Sequence, residues 1–205
     1  FVHDSIPIPA GVGLNRRLEW IPLAEFPHWL IAGMTGGGKS NMLNVALATI
    51  ITLHNPRDVR LILIDLKGGL EFGQYAGIPH LHGNVIKDVP GVVQATAELQ
   101  AILEDRLTIM EGKARKIDDY NRLPGISRLP RLICVFDEVA SIEGHGADTK
   151  RIKASLADLM RRGRAVGIHV WVCTQRPDSS VVEGQLKANA SVRFVGQMRT
   201  AADSM

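Results

Sequence analysis

Apolar residues concentrate in five short runs of the chain, at positions 28–33, 60–65, 131–137, 169–174 and 191–197. Apolar and polar residues do not alternate within them. That predicts strands covered on both faces rather than strands with one side in water. Between most of these runs the apolar positions shift to helical spacing. A helix over 40–53 gathers Leu43, Leu47, Ile50 and Ile51 on one face. One over 92–111 gathers Leu99, Ile102, Leu103 and Leu107, and one over 149–164 gathers Ile152, Leu156, Leu159 and Met160. Asp88 and Pro90 mark the start of the second, because a carboxylate caps orphaned amides and proline fits a first turn. Strands alternating with helices predict an α/β domain around a mostly parallel sheet.

Three stretches interrupt the alternation. Residues 1–23 hold Pro7, Pro9 and Pro22 and read as an irregular or hairpin-like lead-in, the remnant of an upstream subdomain. Residues 113–130 are polar and contain Pro124-Gly125 and Pro130, and residues 143–148 place Gly144 and Gly146 around His145. The expected domain therefore runs over 24–205, and its polar stop at Met205 reads as a truncated C-terminus.

Composition narrows the class. An apolar share of 45% in 205 residues excludes a disordered chain and fits one domain with a sizeable core. No run reaches the ~18 apolar residues of a membrane span, and the start lacks a secretory pattern. A cytoplasmic domain is expected, with any membrane contact made through segments outside this sequence. Cys134 and Cys173 lie in apolar runs and read as small buried hydrophobes of a reducing compartment. The net charge of +3 is too mild to indicate a partner by itself.

The strongest chemical signal is "AGMTGGGKSN", in which Gly33, Gly38, Lys39 and Ser40 have the spacing of a phosphate loop. It follows an expected strand and opens an expected helix. Gly33, Thr35, Gly36, Gly37 and Gly38 would let backbone amides wrap the phosphates of ATP, with Asn41 in the first helical turn. Lys39 would reach the β and γ phosphates, and Ser40 would offer its hydroxyl to Mg²⁺. In "RLICVFDEVA" a strand leads to Asp137 and Glu138, and ligands of open α/β sheets bind beyond the carboxyl ends of strands. Asp137 suits the Mg²⁺, and Glu138 suits activation of the attacking water. That adjacent glutamate argues for hydrolysis and against a small-molecule kinase, which must exclude water.

Further residues leave alternatives open. Gln175, in "VCTQRP", either senses the γ phosphate and transmits through Arg176-Pro177 or only ends a strand. This depends on its strand lying between the phosphate-loop and Asp-Glu strands. Lys150, Lys153, Arg161 and Arg164 fall opposite the apolar stripe of their helix. Such a face tracks a nucleic-acid backbone, meets an acidic subunit rim, or is simply solvated. Arg193 sits inside the last β-run, where a charge must be paired, protrude from the domain edge, or reach a neighbour's nucleotide. Asp65 and Lys67 end the second strand near the ligand side and either serve the site or cap the sheet. The histidines, His80 included, show no metal-ligand spacing.

The segments "FPHWLIAGMTGGGKSN", "LILIDLKGG", "GIPHL", "DDYN", "LICVFDEVA", "RRGRAVGIHVWVCTQRP" and "GQLKANASVRF" resemble the FtsK/SpoIIIE family of motor ATPases, in the family's order from about Pro7 to Arg193. The "GRAVGIH…TQRP" string is far more specific than a phosphate loop. The resemblance implies a RecA-like P-loop NTPase core with a catalytic glutamate. Its mostly parallel central sheet would have the order 5-1-4-3-2, flanked by helices. It also implies a homo-hexameric ring with ATP at subunit interfaces and double-stranded DNA gripped by pore loops. Lys39 and Ser40 would bind phosphate and Mg²⁺, Asp137 and Glu138 would be the metal and base carboxylates, Gln175 the sensor, and Arg193 the trans-acting finger. The chain departs from the family where Asp-Glu-Phe-Ala is often followed by an acidic residue. Ser141 stands there.

Two function classes follow. One is an ATP-driven translocase of double-stranded DNA, in chromosome segregation or mobile-element transfer, contacting phosphates without reading sequence. The other is a type VII secretion ATPase acting on proteins. The continuous "TQRPDSSVVEGQLKAN" tract and the basic helix face favour DNA. A module without turnover is disfavoured, because Lys39, Asp137 and Glu138 are all present.

Overall fold

A computed structural model describes residues 6–175 and 184–198. The strands are β1 (Pro7–Val12), β2 (Leu18–Pro22), β3 (Trp29–Ala32), β4 (Val59–Ile64), β5 (Arg131–Phe136), β6 (Ile168–Thr174) and β7 (Val192–Val195). The helices are α1 (Lys39–Leu53), α2 (Val89–Met110), α3 (Ile117–Asn121), α4 (Ala147–Arg162) and α5 (Gly184–Asn189). Each of the five apolar runs is a strand of one parallel sheet, ordered β4-β5-β6-β3-β7. Counted in chain order from the β7 edge, the parallel strands read 5-1-4-3-2. β6 therefore lies between the phosphate-loop strand β3 and the Asp-Glu strand β5.

The missing alternation has a direct cause, since both faces of the sheet carry a core. On one side Leu99 and Leu103 of α2 and Leu156 and Leu159 of α4 pack against Leu132, Cys134, Phe136, Val170 and Val172. On the other, Leu43, Leu47 and Ile50 of α1 meet Ile31, Leu61, Ile133, Val135 and Cys173. Trp29 and Trp171 stack there with centroids 4.5 Å apart. Both cysteines are buried and free. The lead-in contains the antiparallel hairpin β1–β2, whose Ile8 enters the second core. Asp88 caps α2 by accepting from the Gly91 amide at 2.8 Å, with Pro90 in the first turn.

Two segments differ from expectation. The polar stretch 113–130 contains α3, which buries Ile117 and Tyr120. Asn121 closes the stretch by exchanging two 2.9 Å hydrogen bonds with the Leu129 backbone. Lys153 does not lie on a solvated face. It is 7% exposed, and its Nζ reaches Glu143 at 2.7 Å. Its long apolar stem runs along the core while the ammonium finds a carboxylate at the rim. Lys150, Arg161 and Arg164 are exposed as expected.

The amino ends of the strands enclose a buried basic group. Arg106 donates to the carbonyls of Val166 and Pro130, each at 2.7 Å. Arg131 pairs with Asp118 and contacts His169 Nε2 at 3.1 Å. His28 Nδ1 accepts from the Val170 amide at 3.1 Å. Burial first, and Arg164 next, pull the His28 pKa down to about 4. Burial and then Arg131 hold His169 well below the usual histidine range. Both rings are therefore neutral at pH 7.

Candidate nucleotide site

The parallel strands end within two residues of one another. Ala32 lies beside Thr174, Phe136 beside Val172, and Ile64 beside Phe136. The residues that follow them, Gly33, Gln175, Asp137-Glu138 and Asp65, emerge along one carboxyl edge.

The phosphate loop turns through Gly36 and Gly38, at φ 78° and 94°, a left-handed conformation that side chains disfavour. At Gly37 a side chain would meet the Gln197 carbonyl at 2.8 Å and the Met34 carbonyl at 2.9 Å. The loop is tied to the end of β7: Met34 N donates to Gln197 O at 2.9 Å, and Gln197 N to Gly37 O at 3.2 Å. Gly33 is buried at the base of the loop, and Thr35 and Asn41 are exposed. α1 begins at Lys39 without a side-chain cap. Its first amides and positive dipole end thus stand ready for an anion.

Lys39 is 6% exposed and its Nζ donates to both the carboxylate and the backbone carbonyl of Asp137, the latter at 3.0 Å. Burial opposes the ammonium charge, but Cys173, Asp137 and Glu138 outweigh it and raise the Lys39 pKa. Asp137 is 1% exposed, and among the described residues its Oδ2 has no hydrogen-bond partner. Ser40 Oγ donates to Glu71 Oε1 at 2.8 Å. Glu138 accepts from Thr174 Oγ1 at 2.9 Å, from the Gln175 amide at 3.2 and 3.1 Å, and from Lys67 Nζ at 3.4 Å. Gln175 Oε1 accepts from Thr35 Oγ1 at 3.1 Å, which joins the β6 terminus to the phosphate loop.

Lys39, Ser40, Asp137, Glu138 and Gln175 thus share one edge. Arg193 does not join them: it is exposed midway along the edge strand β7, opposite Leu30, and donates to the Lys187 carbonyl at 2.9 Å. Arg176 and Pro177 lie outside the described residues. Sequence reasoning missed Glu71 and Thr174. Thr174 precedes Gln175 at a strand end, a visible signal, whereas Glu71 is placed by the turn after β4. A buried carboxylate oxygen with no donor among the described residues, and a serine hydroxyl next in sequence to the lysine that holds that carboxylate, make a donor set suited to a hard divalent cation.

The sheet order and the lysine seated among carboxylates at the mouth of a glycine loop define a RecA-like P-loop nucleotide-binding domain. The chain belongs to the FtsK/SpoIIIE family, which it matches over residues 2–179. It is 37% identical over 204 residues to the DNA translocase FtsK of Helicobacter pylori strain J99, covering 96% of this chain and 24% of that one. With the DNA translocase SftA of Bacillus subtilis strain 168 it shares 34% identity over 214 residues, covering 100% and 22%. The chain therefore spans about a quarter of the length of these curated relatives. Among solved structures, the pCW3 conjugation coupling protein TcpA with ATPγS superposes with a TM-score of 0.83 at 28% identity, covering 98% of this chain and 56% of TcpA. The cytoplasmic domain of the Thermomonospora curvata type VII secretion ATPase EccC gives 0.84 at 22% identity, covering 98% and 25%, a likeness of fold alone.

Proposed function

We propose that this chain is the ATP-hydrolysing motor domain of a double-stranded DNA translocase that works as a homo-hexameric ring. The observation that carries the reading is the fixed position of Glu138, held by Thr174 and the Gln175 amide on the strand next to the phosphate loop. There a carboxylate can take a proton from water attacking the γ phosphate. Lys39 exchanges the Asp137 carboxylate for phosphate, and the α1 amides and Gly33–Gly38 backbone hold the remaining charge. Ser40 and Asp137 would hold Mg²⁺, which neutralises phosphate charge. Gln175 reports nucleotide to the loop through Thr35.

The names of the relatives favour DNA over protein as the cargo, in segregation or in mobile-element transfer. Contact would be to phosphates and blind to sequence. Among the described residues no helix is long and apolar enough to cross a membrane. Arg193 on the exposed edge strand is the trans-acting arginine read from the sequence. Arg164 is a second candidate, because it is exposed and lines a 450 Å³ cavity with Arg115, Arg161 and Arg162, although Glu25 and Asp118 line it too.

The test is ATPase rate with and without linear double-stranded DNA at two salt concentrations. Stimulation that fades with salt and vanishes in Glu138→Gln supports the translocase. An assembled, active hexamer indifferent to DNA would move the assignment to protein secretion. Mixing Arg193→Ala or Arg164→Ala subunits with Lys39→Ala subunits identifies the arginine that acts across the interface.

A further inference from the structure

The turn after β4 does more than cap the sheet. Asp65 is fully buried at the end of the strand, and its carboxylate accepts three amides of the turn that follows. Oδ1 takes Lys67 N at 3.0 Å, and Oδ2 takes Glu71 N at 2.8 Å and Phe72 N at 3.1 Å. Gly68 and Gly69, at φ 79° and 81°, let the chain reverse between Lys67 and Glu71. One buried carboxylate thus fixes the backbone under two side chains. Lys67 reaches Glu138, and Glu71 reaches Ser40.

We propose that Glu71 is a positioning residue for the metal-binding hydroxyl: it takes the Ser40 proton and so leaves the Oγ lone pairs to the magnesium ion. This rests on the reading of Ser40 given above. A hydroxyl that binds a cation does so through oxygen and must donate its proton elsewhere. The other carboxylates beside the phosphate loop do not take this proton. Asp137 Oδ1 holds Lys39, and Glu138 is engaged by Thr174, Gln175 and Lys67. Glu71 is the one that accepts from Ser40, at 2.8 Å. It turns a free hydroxyl rotor into an oriented ligand and makes that oxygen more electron-rich. The sequence places Glu71 six residues beyond Asp65, far from both carboxylates of the Asp-Glu strand.

The experiment titrates magnesium chloride against binding of a fluorescent, non-hydrolysable ATP analogue to the full chain, with a parallel measurement in EDTA. Glu71→Ala is expected to raise the half-maximal magnesium concentration about 10-fold or more, since outer partners of metal ligands typically contribute on that scale. Glu71→Gln, a weaker acceptor of the same shape, shifts it in the same direction, and affinity in EDTA is unchanged in both. In a Ser40→Ala background Glu71→Ala adds nothing. An unchanged midpoint in either Glu71 variant, with Ser40→Ala still shifted, overturns this role and spares the reading of Ser40. A Ser40→Ala protein with the parent's midpoint overturns both. Should Glu71→Ala lose its fold by circular dichroism, the isosteric Glu71→Gln carries the comparison alone.

Discussion

Lys39 and Asp137 are joined twice: the lysine ammonium donates to the aspartate's carboxylate and also to its backbone carbonyl. Both residues are buried, so without nucleotide each neutralises the other. In the proposed function, nucleotide binding exchanges this pair for phosphate and metal. Removing one partner of a buried pair costs roughly 3–5 kcal/mol, because the other charge is left unpaired. Lys39→Met is therefore expected to lower stability in urea by about 3 kcal/mol, and adding Asp137→Asn to recover part of it. A Lys39→Met protein as stable as its parent would show that the pair contributes nothing to the free state.

Glu138→Gln keeps a side chain of the same size that still accepts from Thr174. Nucleotide affinity is expected to hold while single-turnover hydrolysis falls by roughly 10²–10⁴-fold, the usual contribution of a general base. Equal losses of binding and turnover would instead make Glu138 part of the nucleotide cradle.

His28 and His169 predict an acid-sensitive fold. Their pKa values are depressed in the folded state, His28 to about 4, so unfolding takes up protons once pH falls below about 6.5. Their contribution is present above pH 6.5 and is lost as pH drops toward 4, by up to about 1.4 kcal/mol per pH unit for each histidine. Denaturation midpoints at pH 7.5, 6 and 5 measure the slope. A flat profile across that window would mean the rings bind protons equally well folded and unfolded.

Gly37→Ala places a methyl against the carbonyls of Gln197 and Met34. Both are backbone atoms, so the loop must pull away from the end of β7. The expected result is a loss of roughly 1–3 kcal/mol in stability, typical of overpacking, with at least ~10-fold weaker nucleotide binding. Calorimetry of the free and nucleotide-bound protein reads both effects, and a variant with parental affinity would show that the loop does not need its anchor.

The strands and main helices were legible because burial on both faces leaves unbroken apolar runs, and one-sided helices leave a 3.6-residue rhythm. The placement of Lys39, Asp137 and Glu138 on one edge was legible because their motifs follow directly on strand ends, where topology fixes the side of the sheet. Glu71 was hidden, because its aim depends on two left-handed glycines and the Asp65 clamp, none of which has a periodic signature. Lys153 misled for a related reason: residue type suggests a solvated face, but a long stem lets its charge leave the core at Glu143. Arg193 lies within an apolar run yet on an edge strand, and the run itself carries no mark of edge or centre.

β3 is the first strand of the sheet in the chain, and its ladder partners are β6 and β7, which come more than a hundred residues later. As the chain leaves the ribosome, β4 and β5 can pair while the glycine loop is still without a floor. Loop-closure entropy makes such distant pairings late and slow. Competence to hold a nucleotide therefore arrives as one of the last events of folding, and an unfinished chain exposes a wholly apolar strand before it can bind ATP.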